Sequence, residues 1–202
     1  AQAVTEGGHT EDEMLVLTPY YAWNNRGVSS MTVWFPTDQQ SAQYDPTVLP
    51  EESPFVEVIA SHTYAQDTVS AIGDNHEPRW SSGKKVSRWS SRPQKDKPQW
   101  VEGRFGETRH IRSIGIYWFD NREDVRLPAQ WSVEVEQDGE WKPFDLYVTD
   151  EYGRQVNQYN VIHPAGTLKC DAIRIHMFPQ EDSCVGILEV DVTLENDRTD
   201  LQ

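Results

Sequence analysis

A chain of 202 residues with 33 acidic and 18 basic side chains carries a formal net charge of −15, so nucleic acid and anionic membrane, which need a positive footprint, are poor partners. Hydrophobic residues make up 37% and include eight tryptophans, enough to build the core of one large domain, or of one domain and part of a neighbour. No apolar run approaches the roughly 18 residues that a membrane span requires, and no secretory signal is visible at Ala1-Gln2-Ala3, a start that says nothing about export.

Residues 1–13 are polar and read as a flexible tail. Met14-Leu15-Val16-Leu17-Thr18 and Met31-Thr32-Val33-Trp34-Phe35 read as paired strands. The turn between them contains Asn24-Asn25 and Gly27, residues that tolerate the positive φ a hairpin needs. This hairpin, 14–36, is too small to stand alone and is expected to be the end of an upstream β-sandwich. Residues 37–55 follow, within a stretch from Pro36 that holds four prolines and four acids; they read as a linker. A strand over 56–60 opens the main domain, expected to span 56–194 and to leave a C-terminal tail at 195–202.

About forty residues of low periodicity then separate that strand from another at 100–105. A loop of this length inside a compact domain is usually functional or disordered. It carries Asp74, Trp80, Trp89 and four positive charges between Arg79 and Arg88, which favours an ordered, ligand-facing loop. Beyond it, Ile114, Ile116 and Trp118 alternate, as do Trp131, Val133 and Val135, and then Ile173, Ile175 and Met177. Asp138-Gly139 turns the second of these strands into Glu140-Trp141-Lys142-Pro143-Phe144. Strict alternation gives each sheet one buried and one wet face, so the chain reads as all-β, a jelly-roll sandwich without a long helix. Cys170 and Cys184 open the last two strands. If those strands pair antiparallel, the cysteines start about 25 Å apart, too far for a disulfide, and free thiols are expected.

Ala60-Ser61-His62, Ala71-Ile72-Gly73-Asp74, Arg79-Trp80-Ser81-Ser82 and Gly186-Ile187-Leu188-Glu189-Val190, in this order, resemble discoidin-type domains (coagulation-factor type C, galactose-binding-like). The stretch from Leu17 to Pro36, with Pro19-Tyr20-Tyr21-Ala22-Trp23-Asn24-Asn25-Arg26-Gly27 at its centre, resembles the closing hairpin of β-L-arabinofuranosidase-type glycoside hydrolases of families 127 and 146. Together they imply the C-terminal region of such an enzyme: the end of a β-sandwich domain followed by a carbohydrate-binding module. The family's zinc-bound cysteine nucleophile lies in a catalytic barrel, and no stretch here matches it.

The discoidin resemblance implies one calcium held by Asp74 and Glu189. A hard cation wants six to eight oxygens, although Gly73-Asp74-Asn75 stands where relatives have Asn-Asp-Gly. Without a metal, Asp74 would cap an Asx turn and Glu189 would pair with Arg174. His76, Arg79, Trp80, Arg88 and Trp89 form the candidate sugar-binding set, because an aromatic face stacks on a sugar ring while Arg and His donate to its hydroxyls. Trp89, in a polar setting, is expected to be exposed, and Trp80 to turn inward. Asp120, Glu123, Asp124 and Asp150 sit in polar turns, where a glycosidase pair would need one buried acid.

The expected function is a non-catalytic carbohydrate-binding module of a secreted or periplasmic enzyme acting on arabinose-containing plant glycans. Its partners would be a neutral glycan and the parent's catalytic barrel domain. The alternative is a structural domain that packs on that barrel and binds no sugar. Trp89→Ala separates the two: a binding residue costs affinity, whereas a core residue costs stability.

Overall fold

The computed structural model of the protein describes residues 14–17, 31–34, 48–76, 78–83 and 86–195. The chain divides into two units at residue 45. In the first, β1 (Met14–Leu17) pairs antiparallel with β2 (Met31–Trp34), Met14 opposite Trp34. The expected N-terminal tail, the hairpin turn, residues 37–47 of the expected linker and all but the first residue of the C-terminal tail lie outside the described residues.

In the second unit the described strands are β3 (Glu57–Ala60), β4 (Trp89–Ser90), β5 (Gln99–Trp118), β6 (Gln130–Gln137), β7 (Glu140–Pro143), β8 (Tyr159–Ile162), β9 (Leu168–Phe178) and β10 (Gly186–Leu194). A five-residue 3-10 helix, Val69–Gly73, lies between β3 and β4. The strands pair antiparallel in the order β4-β10-β5-β9-β6-β7, with β3 and β8 also on β5. This is an all-β jelly-roll sandwich, the class the alternation predicts.

Where the sequence reads as separate strands before and after Gly106, β5 is continuous over 20 residues. β3 pairs with its first part and β10 and β8 with its second, while β9 pairs with Gln99–Arg104 and again with Arg109–Ile111. The register against β9 shifts between Arg104 and Arg109, and residues 106–108 are exposed there. Extra residues on one strand of a ladder bend it and increase its twist, so one strand serves both layers.

The alternating residues fill the space between the layers. Ile114, Ile116, Trp118, Trp131, Val133, Val135, Ile173, Ile175 and Met177 are all buried in one cluster, each side chain contributing about 1.5–3 kcal/mol. Trp118 meets Trp131 edge-on at 5.3 Å between ring centroids, and the Trp131 indole N–H donates to the Gly153 carbonyl at 2.8 Å. The Asp138-Gly139 turn is as predicted: both residues have positive φ, 55° and 78°, the backbone of a two-residue hairpin.

Phe55, read as the end of the linker, belongs to the core. Its ring stacks on Phe105 at 5.5 Å and lies over Gly103 and against Gly73, where added Cβ atoms would come within 2.4 and 2.9 Å of it. Two short strands, β4 and β8, were not legible as strands. Cys170 and Cys184 are both free and buried. β9 and β10 do not pair with each other, because β5 lies between them, and burial pushes the Cys170 thiol up to about 12.

Gly103→Ala should therefore destabilise the fold by about 1–3 kcal/mol, the usual cost of overpacking, read as a lower urea midpoint at unchanged slope. Adding Phe55→Ala should cost less than the sum of the two single changes, because it removes the ring that the new methyl strikes.

Candidate functional site

The long loop between β3 and β5 is braced from within. Arg88 Nε donates to Asp67 Oδ1 at 3.1 Å and its Nη1 to the Gly83 carbonyl at 3.1 Å. The guanidinium carbon stands 4.8 Å from the Phe119 ring centroid. Asp67 also accepts from the Ser90 hydroxyl, and its side chain is only 1% exposed. Arg88, expected among the sugar-binding residues, is thus committed to holding the loop's shape.

The expected exposures of the two tryptophans are reversed. Trp89 is 0% exposed; it lies on β4 opposite Ile187 of β10, and its indole N–H donates to the His62 carbonyl at 2.9 Å. With no face open to solvent it offers a sugar nothing to stack on, and it is corrected to a core residue. The reason is pairing, since once β4 joins β10 its side chain enters the sandwich. No local signal separated the two: Arg88-Trp89-Ser90-Ser91 repeats Arg79-Trp80-Ser81-Ser82, and only the second copy is in a strand.

Trp80, by contrast, is 55% exposed. It stands on a fixed base. Ser81 N–H donates to Asn157 Oδ1 at 2.9 Å, and Asn157 N–H donates back to Ser81 Oγ at 2.8 Å. The Asp120 N–H also donates to the Ser81 carbonyl at 2.9 Å. The Arg79 guanidinium carbon is 5.6 Å from the Trp80 ring centroid, and both side chains face water. His76 is exposed further along the loop, its N–H donating to Asp74 Oδ1 at 2.8 Å. Of the five candidates, Arg79 and Trp80 come together at the surface, His76 follows Asp74, and Arg88 and Trp89 turn inward.

Asp74 and Glu189 do meet. The register of β10 against β5 shifts between Ile187 and Glu189, a bulge that places Glu189 on the outer face, beside the Asp74 turn. Bulges often re-aim a functional side chain in this way. Glu189 is 3% exposed, and burial, then the Asp74 charge and a hydrogen bond to Asp74, push its carboxyl from 4.5 up to about 9. Its Oε2 is buried without a hydrogen-bond partner among the described residues. Two adjacent buried carboxyls, one with an orphaned oxygen, are a donor set that fits a hard cation. Arg174, the alternative partner, is instead bonded to Glu102 at 2.7 and 3.1 Å and lies against the Trp100 and Trp141 rings.

The remaining acids serve turns. Asp120 accepts the Arg122 N–H at 2.7 Å, and the Glu123 N–H donates to Asn121 at 3.0 Å. Arg92 donates twice to Asp124, at 2.6 and 2.7 Å, and holds that carboxyl well below the usual range. Asp150 accepts the His163 N–H at 2.7 Å.

Comparison with known proteins agrees with this fold. The family model described as F5/8 type C domain matches residues 58–190, and that described as glycoside hydrolase family 127 C-terminal domain matches residues 2–36. No curated protein matches the chain. Among solved structures, one from the Streptococcus pneumoniae beta-galactosidase BgaA is 17% identical with a TM-score of 0.60, covering 74% of this chain and 97% of that one. The family 32 carbohydrate-binding module of Clostridium perfringens NanJ, in complex with galactose, is 14% identical with a TM-score of 0.51, covering 67% and 91%. A further family 32 module from C. perfringens, CpGH89CBM32-5, in complex with GalNAc-β-1,3-galactose, is 12% identical with a TM-score of 0.52, covering 67% and 93%. At these identities the likeness is one of fold.

Trp89→Ala should lower stability by about 3–5 kcal/mol through lost transfer energy and a cavity, measured by urea denaturation. The Glu189 carboxyl gives a second expectation. Its folded value lies above the unfolded 4.5, so its contribution is fully present below pH 4.5 and is lost as pH rises toward about 9. In chelator, the melting temperature should fall across that window, and Glu189→Gln should flatten the slope.

Proposed function

Because this chain belongs to the F5/8 type C domain family over residues 58–190, we propose that it is the sugar-binding module of a glycoside hydrolase, holding a neutral, arabinose-containing plant glycan against Trp80. The observation that carries this reading is an exposed tryptophan on a loop pinned by reciprocal Ser81–Asn157 hydrogen bonds. A flat ring fixed in place gives contact area on the C–H face of a sugar at small entropic cost. Arg79 beside it, and His76 along the loop, supply donors to hydroxyls. Two structures of the same fold are seen with galactose and with GalNAc-β-1,3-galactose; arabinose is taken as the sugar here from the resemblance of the hairpin, matched by the family 127 model over residues 2–36, to arabinofuranosidases.

In this reading the module performs no bond cleavage. It raises the local concentration of substrate at a catalytic barrel elsewhere in the parent enzyme, which would work outside the cytoplasm, where plant glycans are met. Among the described residues no helix is long and apolar enough to cross a membrane. The strong net negative charge repels anionic surfaces and leaves neutral glycans unaffected. Asp74 and Glu189 would hold one structural calcium, with backbone carbonyls and water completing the shell. That ion would neutralise a carboxylate pair which otherwise needs a proton, and would tie the early loop to the last strand.

Titration calorimetry with arabinan oligosaccharides tests the glycan assignment. Trp80→Ala should weaken binding by roughly 1–3 kcal/mol, as for the loss of an aromatic anchor, with the thermal midpoint unchanged. No binding by the unaltered chain would favour the structural domain that packs on the barrel. The calcium has its own readout. Chelation should lower the melting temperature and added calcium should restore it by mass action; an unchanged midpoint would remove the ion from the account.

A further inference from the structure

Away from the Trp80 loop the sandwich carries a concave, polar surface. The outer face of the layer formed by β8, the second part of β5, and β10 carries a cavity of about 450 Å³, whose lining includes Glu52, Asn75, Arg109, Tyr159, Glu189 and Asp191. Three features build it. Gly115 on β5 has no side chain, and a Cβ there would come within 3.3 Å of Tyr159 Cδ1 and 3.5 Å of Val161 Cγ2, so its absence lets Tyr159 lie close over the strand. Tyr159 is held edge-on by Tyr117, 5.3 Å between centroids at 88°. The β10 bulge sets Glu189 and, two residues on, Asp191 along the opposite side, with Asn75 on the loop at φ 57° closing one end.

We propose that this cavity is a second sugar site, taking one neutral monosaccharide unit, an arabinose or a galactose at the end of a chain. It rests on the reading above only in that the ligand is a sugar, and shares none of the Trp80 residues. The volume falls within the roughly 300–1,000 Å³ of small-ligand sites. An aromatic ring beside two carboxylates, an amide and a guanidinium is a set suited to a ring with C–H faces and many hydroxyls, because ionised carboxylates accept from adjacent O–H groups. The charge balance narrows the class. Two carboxylates, of Glu52 and Asp191, face a single Arg109, which is already paired with Glu107 at 2.9 Å. An anionic sugar is therefore repelled. Glu189 also brings an oxygen with no hydrogen-bond partner among the described residues.

The test is amide chemical-shift titration of the whole chain in calcium-containing buffer with L-arabinose, D-galactose and, as the anionic control, D-galacturonate. Saturable shifts are expected at Gly115, Tyr159 and Asp191 with a neutral sugar and not with galacturonate. They should survive Trp80→Ala and should need roughly tenfold more sugar in Asp191→Ala, whose exposed side chain can be removed without unfolding. Tyr159→Ala should abolish them, with folding checked by the dispersion of the remaining peaks. Shifts confined to residues 79–83 would overturn this site and leave the Trp80 reading standing. Shifts confined to the cavity would do the reverse. No shifts in either place would overturn both, and galacturonate binding in the cavity as well as galactose would overturn the assignment to neutral sugars.

Discussion

The fold depends on one strand belonging to both layers. β5 pairs through its first part with β3, through its second with β10 and β8, and on both sides of its register shift with β9, so the two layers are parts of one hydrogen-bonded ladder. Where its register slips, between Arg104 and Arg109, the backbone bends, and the two layers can close on a shared core. Trp118 at the far end of β5 then meets Trp131 of β6 across that core. A buried edge-to-face aromatic pair contributes about 0.5–1.5 kcal/mol beyond its area, and here it joins the layers where loops must pack over them. Phe55 closes the opposite region, over the glycine that β5 places at 103.

With the layers fixed, charge orders the long loop where apolar area is scarce. Asp67, almost fully buried, accepts from Arg88 and from Ser90, and so joins the middle of the loop to β4. Arg92, just past β4, reaches Asp124 with two short bonds. Both guanidinium groups lie within 6.0 Å of the Phe119 ring. Partly buried, hydrogen-bonded ion pairs of this kind specify geometry more than they add stability. The outcome is a rigid base from which Trp80 projects, and rigidity in a binding surface reduces what binding must spend on ordering.

Asp74 and Glu189 show the converse. Buried carboxyls side by side disfavour double ionisation, through desolvation and through mutual repulsion. Such a pair is a position at which a bound ligand or a proton would offset the cost. The same bulge that brings Glu189 to Asp74 also sets the line of β10 side chains bordering the cavity beside Tyr159. One local irregularity in the last strand therefore shapes two features of the outer face.

What could be read from the sequence was local in origin. Alternation in Ile114, Ile116 and Trp118, or in Trp131, Val133 and Val135, follows from the two-residue repeat of a strand, and Asp138-Gly139 needs only its own backbone preferences to turn a hairpin. The pieces that resemble discoidin domains gave the family and brought Asp74 and Glu189 together on paper. The choice between Trp80 and Trp89 was different. Both stand in the same Arg-Trp-Ser-Ser tetrapeptide, and their neighbours in sequence cannot distinguish them. β10, nearly a hundred residues later in the chain, decides by pairing with the second copy; it takes Trp89 into the core and leaves Trp80 in water. The inward turn of Arg88, the place of Phe55 in the core, the continuity of β5 and the cavity beside Tyr159 were likewise settled only by tertiary structure, because each depends on a surface supplied by a distant part of the chain.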